Sequence, residues 1–108
     1  MNKDELYLDH IRGAIAEIES FVVGMELNNF IGNNMAQSAV VRQLAIIGEA
    51  ARNLSSEFKD QHAKINWSEA ISMRNWLIHQ YFEIDTKIVW QTVTEDIPQL
   101  KKMLDEIK

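Results

Sequence analysis

The fold is decided by one segment, M-R-N-W-L-I-H-Q-Y-F, at residues 73–82. This segment places Arg74, Asn75, His79 and Tyr81 among apolar residues that would ordinarily fill the interior of a helical protein. On a helix, Asn75 and His79 lie one turn apart on one face, and Tyr81 lies two turns beyond Arg74 on nearly the same line. The segment therefore predicts a helix that carries two polar pairs on a largely apolar body.

The residue types of these two pairs allow a structural and a chemical interpretation. In the structural one, the four side chains satisfy helix ends and neighbouring carbonyls inside a bundle. In the chemical one, Arg74 and His79 handle phosphate. Histidine titrates near pH ~6.5 and moves protons at neutral pH, while arginine carries a permanent planar charge that suits phosphate oxygens. The residues alone leave both interpretations open.

The order and spacing of the polar residues resemble the signature of HepT-like toxins in the HEPN ribonuclease superfamily. Asn75 directly follows Arg74, four residues separate Arg74 from His79, and one residue separates His79 from Tyr81. An arginine and a histidine at this spacing arise often by chance, so the longer string carries the resemblance. Similar segments extend over nearly the whole chain, at Asp9–Ile11, Ile46–Ala50, Ile65–Trp67, Ile84–Asp85, Val89–Trp90 and Ile97–Leu100.

The resemblance implies a function and a set of partners. The chain would be the toxin of a type II toxin–antitoxin system and a metal-independent RNA endonuclease that needs no cofactor. Arg74 and His79 would be its catalytic pair, and Asn75 would orient either of them by a hydrogen bond. A nucleotidyltransferase-like antitoxin would silence the toxin by adenylylating Tyr81. A homodimer would set two motif helices around one cleft.

A non-catalytic role is the alternative. The chain would then be a helical scaffold or the substrate-binding subunit of a nucleotidyltransferase, with the motif serving assembly only. Tyr81 would then simply pack at a dimer interface, with its hydroxyl bonded to a neighbour. Intact Arg74 and His79 favour the enzyme over the scaffold.

Length and composition limit the class of protein. With 108 residues, the chain is expected to form a single HEPN-like domain over residues 1–108. It has no cysteine, which excludes thiolate chemistry, and no long apolar run, so we expect a cytoplasmic protein without a membrane association. The net charge of −5 argues against a general nucleic-acid-coating surface. An RNA site would need only local positive charge, which Arg42 or Arg52 could add to Arg74.

Apolar periodicity predicts helices along the first two-thirds of the chain. Steps of three and four from Leu8 to Val22 predict a first helix over residues 4–24. A loop with one helical turn follows at residues 28–34. A second helix is expected to start at Asn34, with Gln37 completing a capping box, and to run to about Phe58. Residues 59–64 are expected to be a loop, and Asn66 with Glu69 caps the third helix, which carries the motif.

The C-terminal segment carries helical spacing from Val89 to Ile107, interrupted by Pro98. Because proline lacks an N–H and clashes with the preceding turn, we expect a kink or two helices meeting near Asp96. Asp85 is the expected N-cap. The predicted fold is an all-α, up-and-down four-helix bundle whose last helix is split or kinked near Pro98. Close helix packing is the favoured interpretation of Gly48–Ala50, although a catalytic Glu49 stays open.

Overall fold

The computed structural model describes residues 2–79 and 85–107, and of Arg74 and residues 76–79 it describes the backbone. Within this range every regular element is helical and no strand occurs, which confirms the all-α prediction. The elements are α1 (Lys3–Val22), α2 (Leu27–Ile31), α3 (Asn34–Asn53), α4 (Ser56–Gln61), α5 (Trp67–His79), α6 (Thr86–Gln91), a π turn (Thr92–Asp96) and α7 (Ile97–Asp105). None of these helices is both long and apolar enough to cross a bilayer.

Helix α1 forms as its sequence predicts. The Asn2 side chain accepts a hydrogen bond from the Glu5 N–H at 2.8 Å, which satisfies one of the unpaired donors of the first turn. The apolar stripe is buried, with Ile11 and Ile18 fully inaccessible. The helix ends before Gly24, whose φ of 76° lies in the left-handed region that glycine occupies without steric cost.

Helix α3 is the central element because it packs along both α1 and α5. Its predicted stripe is buried throughout, at Val40, Leu44, Ile47, Ala51 and the following Leu54. The short helix α2 packs against α3 and α6. Phe30 of α2 is fully buried, and its ring lies 5.1 Å from that of Trp90, so this aromatic pair holds α2 in place.

The start of α3 differs from the prediction by one residue. The N-cap is Asn33, whose side chain accepts from the Ala36 N–H at 2.9 Å. Gln37 does not complete a capping box with Asn34. Its amide instead donates to the carbonyls of Phe30 and Ile31, each at 2.8 Å. Gln37 therefore satisfies the C-terminal carbonyls of α2, which a pattern confined to α3 does not indicate.

The end of α3 also corrects the prediction, since the helix stops at Asn53 instead of about Phe58. A separate helix, α4, spans the end of the predicted helix and the first half of the expected loop. Ser55 causes the break. Its N–H and hydroxyl donate to the two carboxylate oxygens of Asp4 at 2.8 and 2.7 Å. Its hydroxyl oxygen accepts from the Phe58 N–H at 3.0 Å and so caps α4. These bonds stop one helix and start the next.

The C-terminal segment is a continuous helical path with one wide turn. Asp85 caps α6 as predicted, accepting from the Lys87 N–H at 3.0 Å. The interruption expected near Pro98 is a π turn over Thr92–Asp96, closed by the Ile97 N–H donating to the Thr92 carbonyl. Pro98 stands in the first turn of α7, where a missing N–H does no harm. The up-and-down order of four helices stays a prediction.

Candidate active site

The N-terminus of α5, the helix that carries the motif, is fixed by a local network. Asn66 accepts from the Glu69 N–H at 3.0 Å and donates to the Glu69 carboxylate at 3.2 Å, as the predicted capping pair should. Trp67 is buried, and its indole N–H donates to the His62 carbonyl at 3.2 Å. The helix therefore starts from a rigid point.

Helix α5 has an inner face and an outer face in its first two turns. Ala70, Ile71 and Met73 are half-buried against the core, whereas Ser72 and Asn75 are exposed. The motif thus begins on a helix with one solvent-facing side. A side chain that must reach a substrate requires such access.

The structure places Arg74, Asn75 and His79 on one helix, and of Arg74 and His79 it describes the backbone. The backbone of Arg74 and His79 is helical in α5. Five residues on an α-helix correspond to about 140° of rotation and roughly 7.5 Å of rise. Two side chains separated in this way do not converge on one phosphate from a single helix. Tyr81 lies outside the described residues.

The other basic and acidic candidates lie on α3. Arg42 is exposed beside the start of α6, and Arg52 is exposed in the last turn of α3. Glu49 is exposed between two buried small residues, and the Asn53 amide donates to its carbonyl at 3.0 Å. Packing is therefore performed by Gly48 and Ala50, and the role of Glu49 stays open.

A groove of about 260 Å³ lies between α3, the start of α5, the π turn and α7. Its wall is apolar at Leu44 and Met73, and its polar residues include Glu69 and Asp96. Burial raises the pKa of the Asp96 carboxyl, and repulsion from Glu69 and Glu95 raises it further. With Glu69 and Asp96 against the single positive charge of Lys64, the groove suits a phosphate less well than a groove without carboxylates would.

The two remaining histidines, His10 and His62, lie outside the helix that carries the motif. His10 is exposed on α1 with its ring 5.9 Å from that of Tyr7, as expected for a surface side chain. His62 stacks on Phe58 with ring centroids 4.5 Å apart. Among residues 2–79 and 85–107, no group of histidine and carboxylate side chains has the arrangement of a metal site.

Comparison with known families decides the relationship of this chain. The model of the family described as "HepT-like: Ribonuclease HepT-like" matches residues 11–107, a range that includes α1 from its third turn, the whole motif segment and α7. The chain belongs to the ribonuclease HepT-like family. The resemblance noted from the motif is thereby confirmed.

HepT-like relatives match over most of their length. The probable ribonuclease HepT of Thermococcus cleftensis is 42% identical over 94% of this chain and 93% of its own. A protein of Caldanaerobacter subterraneus subsp. tengcongensis, named as a candidate RNase, is 40% identical over 94% of this chain and 90% of its own. A candidate RNase of Methanocaldococcus jannaschii is 37% identical over 92% and 91%. No solved structure matches the chain.

Sequence reasoning missed the environment of Arg42. It named Arg42 and Arg52 together as local sources of positive charge, and the HepT-like fold separates them. Arg42 lines a groove with Thr86 and Val89 of α6, while Arg52 lies ten residues further along α3. The sequence does contain a sign of this difference. Arg52 has the acidic residue Glu49 one helical turn away, whereas Arg42 has no acidic residue at that spacing.

Proposed function

We propose that this chain is a metal-independent RNA endonuclease and the toxin of a type II toxin–antitoxin system, with Arg74 and His79 as its catalytic residues. The observation that supports this most is that Arg74, Asn75 and His79 lie on α5, a helix with a solvent-facing side, in a chain of the ribonuclease HepT-like family. Asn75 is exposed on that side and is suited to orient either partner by a hydrogen bond.

The proposed chemistry uses the substrate's own nucleophile. The ribose 2′-oxygen attacks the adjacent phosphorus, the bond from phosphorus to the 5′-oxygen breaks, and the 2′-proton leaves to a base while the 5′-oxygen gains a proton. His79 moves one of these protons. Arg74 stabilises the negative charge that builds up on the phosphoryl oxygens. The products are a 2′,3′-cyclic phosphate, or the 3′-phosphate formed from it, and a 5′-hydroxyl.

Substitution of the motif residues tests the catalytic assignment. Arg74→Ala and His79→Ala should each lower RNA cleavage by a factor of about 100 or more, because each removes an interaction used in the chemical step. The measurement is cleavage of total RNA by purified protein with a chelator present, followed by end mapping. The same variants should lose growth inhibition while keeping their fold and oligomeric state.

Two exposed residues provide matched controls for these variants. Arg52→Ala and His10→Ala remove the same side-chain types from other surfaces and should cleave at nearly the wild-type rate. A motif variant that cleaves as well as its control would overturn the assignment. Products with 5′-phosphates would show that water, not the 2′-oxygen, is the nucleophile. Loss of function only in variants that fail to assemble would favour the scaffold.

We further propose that a nucleotidyltransferase-like antitoxin silences the enzyme by adenylylating Tyr81. The attached nucleotide would bring a phosphodiester charge and a base two helical turns from Arg74, where it would compete with substrate phosphate. Tyr81→Phe keeps the ring and removes the acceptor oxygen. This variant should stay at least partly toxic alone and should escape neutralisation by the antitoxin with ATP present.

A different result for Tyr81→Phe would contradict inhibition by adenylylation. If the antitoxin with ATP silences Tyr81→Phe fully, and mass spectrometry of the wild-type chain finds no adenylate on Tyr81, then the antitoxin acts by covering the cleft. Tyr7→Phe is the matched control, since Tyr7 is half-buried in α1 and should respond to the antitoxin like the wild type.

A further inference from the structure

Arg42 and Arg52 are exposed arginines of α3 that differ in their surroundings. The guanidinium of Arg12 donates to the Leu104 carbonyl at 3.1 Å, whereas neither Arg42 nor Arg52 has a hydrogen bond or ion pair among the described residues. Arg52 has Glu49 one turn away in sequence, while Arg42 has no acidic residue at that spacing and lines a groove. Within residues 2–79 and 85–107, Arg42 makes no hydrogen bond and no ion pair, although it is exposed. Its charge is therefore available to a ligand.

The groove beside Arg42 is suited to an anion. It has a volume of about 290 Å³ and is lined by Phe30, Gln37, Ser38, Val41, Arg42, Thr86 and Val89. The lining contains one guanidinium and the hydroxyls of Ser38 and Thr86, but no carboxylate, in a chain whose net charge is −5. The nearby Asp85 carboxylate is engaged by the N–H groups of Lys87 and Ile88. Apolar walls strengthen the attraction between an arginine and a phosphate because they exclude water.

The position of Arg42 along the axis of α3 brings it near the motif of α5. Leu44 and Ile47 of α3 share a groove with Ala70 and Met73 of α5. The connection from α3 to α5 runs over residues 54–66 and contains α4. In the predicted up-and-down order α3 and α5 run in opposite directions, so moving back along α3 corresponds to moving forward along α5. Arg42 lies two residues before Leu44 and is therefore level with the residues just beyond Met73. Arg52 lies about 15 Å further along α3, away from the motif.

We propose that Arg42 binds a backbone phosphate of the RNA strand beside the one that is cleaved, and that the groove it lines holds the single-stranded substrate. This inference rests on the proposed ribonuclease function and adds a substrate-binding residue on a different helix. A groove of this size has room for about one nucleotide, which suits a single strand and excludes a duplex. The other groove is lined by Glu69 and Asp96 as well as Lys64, and its two carboxylates make it the less favourable place for the same phosphate.

Binding of RNA to the full chain tests the proposal directly. The probe is a short 5′-fluorescein single-stranded RNA of mixed sequence, and the protein carries His79→Ala so that the probe stays intact. Adding Arg42→Gln should weaken binding about five- to twenty-fold, the usual effect of losing one charge-assisted hydrogen-bonded contact. The salt dependence should become shallower by about 0.7 in log K against log salt, the value for one phosphate on a single strand.

Two further variants separate a specific contact from a general change in charge. Arg52→Gln removes the same charge from an exposed site on the same helix and should bind within about twofold of the parent. Arg42→Lys keeps the charge but not the planar fork, and should recover part of the lost affinity. In the chain with an intact motif, Arg42→Gln should raise KM for cleavage by the same factor and leave kcat nearly unchanged.

The results distinguish this inference from the proposed function. If Arg42→Gln and Arg52→Gln bind the probe equally and cleave with equal KM, the groove is not the RNA site, whatever the motif variants do. If binding depends on Arg42 and on salt while the wild-type chain cleaves no RNA, the ribonuclease proposal is wrong and the RNA contact stands. A wild-type chain that neither binds nor cleaves overturns both.

Discussion

At the scale of single residues, Asp4 joins two helices that are distant in sequence. Its carboxylate accepts from the Ser55 N–H and from the Ser55 hydroxyl, 51 residues away. These two hydrogen bonds lower the pKa of Asp4 from its ordinary value of 3.8 because they stabilise the charged form. A carboxyl with a lowered pKa stabilises the fold above its unfolded pKa, and this contribution is lost as the pH falls through the folded value.

Replacing Asp4 should therefore change stability in a pH-dependent way. Asp4→Asn should lower the urea midpoint at pH 7, and the difference from wild type should shrink as the pH falls below the ordinary pKa of 3.8 and through the lower folded value, where the wild-type carboxyl becomes protonated in the folded state. Asp9→Asn is the control, since Asp9 is exposed on the same helix. A loss of midpoint that is the same at pH 7 and at acidic pH would contradict the hydrogen-bonded role.

The sequence predicts local caps better than distant ones. Asn66 and Asp85 cap as expected, and Asn2 caps α1, because each side chain bonds an N–H two or three residues ahead. Gln37 was misassigned because its partners lie in α2, six and seven residues back. The Asp4–Ser55 contact depends on two helices packing side by side, and no local pattern reports that.

At the scale of elements, α1 and α7 are joined by two polar contacts. The Arg12 guanidinium donates to the Leu104 carbonyl in the last turn of α7, where it joins the Ile107 N–H on that oxygen and a positive charge is favourable. Lys101 pairs with Glu19 at 3.0 Å, and both side chains are about half exposed. The first contact should matter more, since exposed ion pairs contribute little.

The two contacts can be compared by substitution. Arg12→Leu keeps an apolar stem and removes the donor, and it should lower the free energy of unfolding by about 1 kcal/mol. Lys101→Ala should lower it by less than about 0.5 kcal/mol. Urea denaturation measures both, and amide exchange should rise in the last turn of α7 for Arg12→Leu alone. Equal effects of the two variants would contradict this ranking.

The place of the π turn could be predicted from the sequence, but its type was not. The sequence predicted an interruption next to Pro98, and the interruption is there. Its type was not predicted, although Val89, Val93 and Ile97 recur in two successive steps of four. Such steps run ahead of a 3.6-residue turn and suit a wider one. The predicted interruption rested on the proline, whereas the spacing of the apolar residues indicates the wider turn.

At the scale of the whole molecule, the two residues proposed as catalytic are expected to require a second subunit. Arg74 and His79 are about 140° apart on α5, so one helix cannot direct both at one phosphate. We predict a homodimer at low micromolar concentration, which light scattering would report as about twice the 12.5 kDa of one chain. A 12.5 kDa monomer with full activity at that concentration would contradict the prediction.

Mixing two inactive variants tests how such a dimer is built. If each site takes Arg74 from one subunit and His79 from the other, a heterodimer of Arg74→Ala and His79→Ala chains has one intact site. Random exchange of subunits should then restore about a quarter of wild-type cleavage. If one subunit supplies both residues of a site, the mixture stays inactive. His10→Ala mixed with His79→Ala should cleave at about half the wild-type rate in either case, which calibrates the activity scale.

The wide turn also bears on how the length of this chain can change. A π turn closes its hydrogen-bonded ring with one residue more than an α turn, so the five residues Thr92–Asp96 contain one that a regular helix would not need. Loss of one residue there would leave a shorter, regular helix, with the turns on either side still able to face the core. Loss of one residue from the middle of α3 would instead rotate Arg42 by about 100° relative to the buried stripe that follows. Single-residue gaps between relatives should therefore collect in the C-terminal helix and avoid α3.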